Sequence, residues 1–155
     1  MGNREDGVQT YGDYETRVRE SFGRQNMMAE LGVELISVAA GEVVFEMPFQ
    51  ARFGQQHGFL HAGAISAALD SAAGFAALSV MPEEAGVLTI EMKVSLMRVA
   101  KAPRFCFVGK VVKAGRSVTF AEAVAYGLEA DGRKQEIARL SASMMVVSGR
   151  DGVVG

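Results

Sequence analysis

Residues 61–78 form a run in which nearly every side chain is small or apolar, and this run constrains the rest of the chain. It reads as one helix, and a helix with no polar face has to be buried. It does not suit a bilayer, whose crossing takes about 20 consecutive apolar residues, because Asp70 interrupts it near the middle. A core helix with the other elements wrapped around it is therefore predicted. Between His61 and Glu83 the only ionisable side chain is Asp70. An isolated carboxylate in such surroundings costs several kcal/mol unless it is paired, protonated or hydrated. Asp70 is thus the first candidate functional residue.

The flanking sequence supplies the wrapping. Over residues 13–31, Asp13 can cap, Val18, Phe22 and the group from Met27 to Leu31 fall on one side, and Gly32 stops an amphipathic helix that Gly23 weakens. Residues 33–39 and 42–49 read as strands joined at Ala40-Gly41, with Val43, Phe45, Met47 and Phe49 on one face of the second. Residues 50–60 form a polar loop that delivers the chain to the core helix. Residues 87–99 alternate, which turns Leu88, Ile90, Met92, Val94 and Leu96 inward and Thr89, Glu91, Lys93 and Ser95 the other way. Further strands are predicted at 104–113, 117–129 and 133–147, with turns at Ala114-Gly115-Arg116 and Asp131-Gly132. Thr119, Ala121, Ala123 and Ala125 make a face of small side chains against which a helix can lie close. The prediction is one α+β domain over residues 1–155, a six-stranded antiparallel sheet with helices on one face and flexible ends at about 1–12 and 149–155.

Composition narrows the partners. A net charge of -2 without any dense Lys/Arg run argues against nucleic acid or an anionic membrane surface and favours a small molecule. One cysteine, Cys106, excludes an intrachain disulfide and a multi-cysteine zinc site, no metal-ligand spacing occurs, and the polar N-terminal residues carry no apolar signal segment. A cytoplasmic protein without a metal is expected. Cys106 lies in the apolar run Phe105-Cys106-Phe107-Val108, where an inert core thiol is the plain reading.

The start of the core helix is the second candidate site. The N–H groups at His61–Ala64 and the positive end of the helix dipole suit a developing negative charge. Gly63 and Asp70 lie about two turns apart on one face, roughly 10 Å along the axis. A single substrate reaches both only by lying along the helix or if a second chain completes the site, and the two-chain site is the more economical answer.

The run Gly58-Phe59-Leu60-His61-Ala62-Gly63 followed by Asp70, together with Leu88-Thr89-Ile90-Glu91-Met92-Lys93 and Gly115-Arg116-Ser117, resembles the hotdog-fold acyl-CoA thioesterases, in particular their phenylacetate-pathway-type branch. The resemblance covers roughly residues 13–147. It implies a hotdog fold, hydrolysis of acyl-CoA to free acid and CoA, no separate cofactor, and a homodimer or tetramer with active sites at the subunit interface. It assigns Asp70 as general base or nucleophile and Ala62 as the residue whose backbone N–H polarises the thioester carbonyl, next to Gly63. It places Gln55 near the reacting centre and Thr89 as a water-holding residue contributed across a dimer interface. Ala62 stands where the family usually has glycine, and Gln55 where asparagine is commoner.

Blander readings stand beside these. Asp70 could bond a backbone group or face a subunit interface. His61 fits a structural histidine bonding backbone at the loop-to-helix junction as well as an acid–base partner, while His57, Gln55 and Gln56 fit solvated loop positions. Arg98, Lys113 and Arg116 are candidate contacts for the CoA phosphates, although charges near strand ends are commonly just solvated. The nine methionines suit core filling or an adaptable acyl tunnel. Two other functions remain: a hotdog dehydratase or hydratase using His61 with Asp70, and a non-catalytic acyl-CoA-binding domain.

Overall fold

The computed structural model describes residues 3–5 and 8–155. Two short strands, β1 (Asn3–Glu5) and β2 (Val8–Thr10), pair antiparallel ahead of the main body. Within the lead-in expected to be flexible, Thr10 is buried; at residues 1, 2, 6 and 7 that expectation lies outside the described residues.

The predicted helix over 13–31 is two helices, α1 (Tyr14–Gly23) and α2 (Asn26–Leu31). Asp13 caps α1 by accepting from the Thr16 amide at 3.1 Å and the Thr16 hydroxyl at 2.7 Å. The break falls just after Gly23, and Gly32 ends α2 in the left-handed region at φ 69°. Buried Val18 and the ring of Phe22 anchor α1 on the core, with Phe22 lying 5.0 Å from Phe45 and 5.8 Å from Phe75.

The main sheet contains β3 (Glu34–Ala39), β4 (Glu42–Pro48), β5 (Gly86–Leu96), β6 (Arg104–Lys113), β7 (Val118–Leu128) and β8 (Lys134–Val147). Its order is β3-β4-β6-β7-β8-β5, and every neighbouring pair is antiparallel. A 3₁₀ turn at Ala51–Phe53 leads to the core helix α3 (Ala62–Leu78). This is the hotdog arrangement: the sheet curls around α3, whose residues from Ala72 to Leu78 are all buried. Ala121, Ala123 and Ala125 face the helix as predicted. Gly109, paired with both Val43 and Ala123, brings the helix closer still, because a Cβ there would overlap the Ala72 carbonyl.

Arg17 ties α1 to the far end of α3. Its guanidinium donates to the carbonyl oxygens of Pro82 at 2.6 Å, Leu78 at 2.7 Å and Met81 at 2.8 Å, so a fixed cation meets the negative end of the helix dipole. Burial, the largest influence, pulls the Arg17 pKa down, with Glu83 and Glu84 opposing.

Residues 149–155, expected to be a mobile tail, fold back on the body: the Gly155 N–H donates to the Ala85 carbonyl at 3.2 Å, and Val153 closes over Gly86. Two residues without side chains, Gly86 and Gly155, permit that approach.

The inward face predicted for β5 is also corrected. β5 is an edge strand, and Leu88, Ile90, Met92 and Leu96 are exposed at 42–52%. A β-bulge between Thr89 and Glu91 changes the phase of the alternation. Before it, Leu88 pairs with exposed Met145 and Thr89 with buried Met144; after it, Met92 pairs with buried Ala142 and Glu91 with Ser143. Directly opposed residues point to the same face, so Thr89 and Met92 both face the α3 side. Cys106 is buried as expected, and burial above all pushes its thiol pKa up.

Candidate active site

The loop before α3 is tightly closed. Gly54 and Leu60 bridge, the Gln55 N–H donates to Phe59 at 2.8 Å, and Gly58 turns the chain at φ 81°. Gln55 Oε1 accepts from the His57 N–H at 2.6 Å, while the Gln55 amide NH₂ has no partner among the described residues.

The helix start is more selective than its sequence suggested. The N–H of His61 donates to Phe53 at 2.9 Å and that of Ala64 to the His61 carbonyl at 3.0 Å. The N–H of Gly63 donates to His61 Nδ1 at 2.8 Å, so the expectation of a free Gly63 donor is corrected. Among these four only the Ala62 N–H has no acceptor among the described residues. His61 is thereby an N-cap, the structural reading of that residue, with Nδ1 acting as acceptor. The free donor opens into a cleft of about 470 Å³ lined by Gln55, Phe59, His61, Ala62 and the segment from Leu96 to Ala100. Arg98 lines it too, holding the Glu136 carbonyl at 2.9 Å.

Two turns along α3, half-buried Asp70 accepts from the Thr89 hydroxyl at 2.8 Å through Oδ1. Its Oδ2 has no partner among the described residues. Asp70 is therefore neither isolated nor fully buried within one chain, and the Thr89 bonded to it belongs to the same chain. These residues line a second, smaller cleft of about 210 Å³ with Ser71, Gly74, Phe75, Val87, Leu88 and Gln25. At its rim the Ser71 hydroxyl donates to Gln25 Oε1 at 3.1 Å. Gln25, which caps the start of α2 without a side-chain bond, carried no signal in the sequence beyond being polar.

Donor and carboxylate thus occupy separate clefts of one chain, at opposite ends of β5. The remaining predicted basic residues are not brought to either. Lys113 ends β6, and Arg116 lines a different surface beside Met81 and Pro82, toward the other end of α3 from Ala62. Among the described residues no group of three His, Cys, Asp or Glu converges to hold a metal ion, and no helix is long and apolar enough to cross a membrane.

A hotdog sheet around a helix that carries a carboxylate and begins with a free N–H is the class of architecture the chain presents. Residues 57–129 match the family model described as the Thioesterase superfamily. A protein of Saccharolobus solfataricus described as a candidate esterase is 33% identical over 106 residues, 68% of this chain and 75% of that one. The crystal structure of a thioesterase family protein from Silicibacter pomeroyi is 47% identical, with a TM-score of 0.86 over 88% of this chain and 99% of that one. The Escherichia coli PaaI protein, from the phenylacetic acid degradation operon, shares the fold at a TM-score of 0.76 and 16% identity, over 86% of this chain and 93% of its own. The chain belongs to the thioesterase superfamily, whose general chemistry is thioester hydrolysis.

Proposed function

We propose that the protein is a cytoplasmic acyl-CoA thioesterase that releases free acid and CoA at a site assembled from two chains. The observation that carries this reading is the separation of the two clefts along an unpaired edge strand. Among the described residues β5 has a neighbour on one side only, and Ile90, Met92 and Leu96 along it and Met97 and Val99 just beyond it are exposed. Such an edge favours pairing with another strand. If β5 pairs antiparallel with its own copy about its middle, the Leu96 end of one chain meets the Thr89 end of the other. The free Ala62 N–H of the partner subunit then approaches Asp70, which the roughly 12 Å between these positions along one helix prevents within a chain.

The chemistry follows from the unpaired atoms. Asp70 Oδ2 accepts a proton from a water whose oxygen attacks the thioester carbonyl, or attacks that carbon itself to give an acyl-enzyme anhydride that water then opens. Thr89 holds Oδ1 and so fixes the direction of Oδ2. The oxyanion takes the Ala62 N–H and the Gln55 amide as donors, in the low-dielectric interface where such donors count most. Collapse breaks the C–S bond, and the CoA thiolate leaves and takes a proton. Arg98, beside the cleft that holds Ala62, is the best placed of the basic candidates for the CoA phosphates. CoA enters as part of the substrate, with no further cofactor.

A dehydratase built on His61 is disfavoured, because its Nδ1 already caps α3. A non-catalytic acyl-CoA-binding domain leaves the Thr89–Asp70 bond without a task. A panel of short, medium, long and aryl acyl-CoA esters, scored by release of free thiol, tests the assignment. Turnover of at least one ester is expected; binding without turnover would favour the sensing domain.

A further inference from the structure

Gly74 sits inside α3, where a glycine is less stable than the alanine found at Ala72, Ala73, Ala76 and Ala77. The usual reasons for such a glycine do not apply. Its φ is not positive, and no backbone presses against it as the Ala72 carbonyl presses on Gly109. A Cβ built on Gly74 meets no atom within 4 Å beyond the surrounding turns of its own helix, although the residue itself is buried. The space it leaves is the cleft of about 210 Å³ that also holds Asp70 and Thr89. Gly74 is four residues beyond Asp70, one turn along the same face and about 6 Å away along the axis.

We propose that Gly74 is the floor of the acyl chamber and determines specificity by leaving room for an acyl group that is wide three or four atoms from its carbonyl, a short branched chain or a ring. This deepens the thioesterase reading and rests on it. Phe75 and Val87 supply apolar walls, and the Gln25–Ser71 pair puts a polar lip on the chamber. A small side chain at position 74 would therefore project into the chamber.

The test compares the full-length wild type with Gly74→Ala and Gly74→Val on acetyl-CoA, isovaleryl-CoA and phenylacetyl-CoA. Gly74→Val is expected to lower kcat/KM for the two wider esters by at least about tenfold more than for acetyl-CoA, the usual range for excess bulk in a fitted pocket. Gly74→Ala should show the same selectivity in weaker form while raising Tm by roughly 2–4 °C, as a helix gains from losing a glycine. An equal loss on all three esters by a folded Gly74→Val protein, or no change on any, would overturn the proposal. Should wild type hydrolyse none of them, the thioesterase reading falls separately, and Gly74 is then judged by calorimetry. Gly74→Val must in that case weaken phenylacetyl-CoA binding more than binding of CoA alone, and equal effects would reject it.

Discussion

The Thr89 hydroxyl donates to Asp70 Oδ1 at 2.8 Å within a single chain, and the β-bulge beside Thr89 makes this contact possible. Without the extra residue, a strand keeping Met92 on the α3 side would turn Thr89 away from it. Bulges commonly re-aim a side chain in this way next to a functional site.

Removing the charge from that pair tests it most directly. Asp70→Asn should lower kcat by about 10²- to 10⁴-fold, the usual contribution of a positioned base, with ligand binding and Tm retained. Thr89→Val should cost roughly 10- to 100-fold in kcat/KM, the value of a hydrogen bond to a charged group. Steady-state kinetics with melting curves on the same preparations check both, and unchanged turnover in Asp70→Asn would assign the residue to structure.

The single free donor at the start of α3 permits an unusually clean substitution. Ala62 is the first helical residue, where proline is well tolerated, and His61 at φ −65°, ψ 139° already has the backbone that precedes a proline. Ala62→Pro should therefore fold and lose about 10²-fold or more in kcat, as loss of an oxyanion donor does. Ala62→Gly should stay within a few fold. Full activity in the proline variant would remove Ala62 from the mechanism.

The edge of β5 makes oligomeric state measurable. Light scattering at micromolar concentration should return a dimer or a tetramer of the 155-residue chain. Pairing Ile90→Lys with Met92→Lys should yield a folded monomer without turnover. A monomer with turnover would exclude the two-chain site.

Gly109 should tolerate no side chain. In Gly109→Ala the new methyl group meets the Ala72 carbonyl inside a packed core, so a loss of about 1–3 kcal/mol or more is expected, read from denaturant midpoints.

Arg17 should matter for stability and not for chemistry. Arg17→Met removes all three bonds to the carbonyls that follow α3, at a cost of about 1.5–3 kcal/mol. Lysine should rescue it only in part, since an ammonium lacks the guanidinium fork. Denaturant unfolding alongside kcat distinguishes this from a catalytic effect.

The sequence by itself determined the buried helix with Asp70 on it, the order of the strands along the chain, the caps at Asp13 and Gly32 and the Asp131-Gly132 turn. Each of these depends on local signals: apolar periodicity, capping chemistry and turn residues act over a few positions. Tertiary structure alone decided the phase of β5, because a bulge inserts one residue that alternation cannot announce. It also decided which amide at the helix start stays free, since that depends on His61 folding back on Gly63 and on Phe53 accepting from His61. The same holds for the empty space over Gly74 and the crowding at Gly109: both are glycines in regular elements, and only the distance to atoms far away in sequence tells a chamber floor from a packing contact.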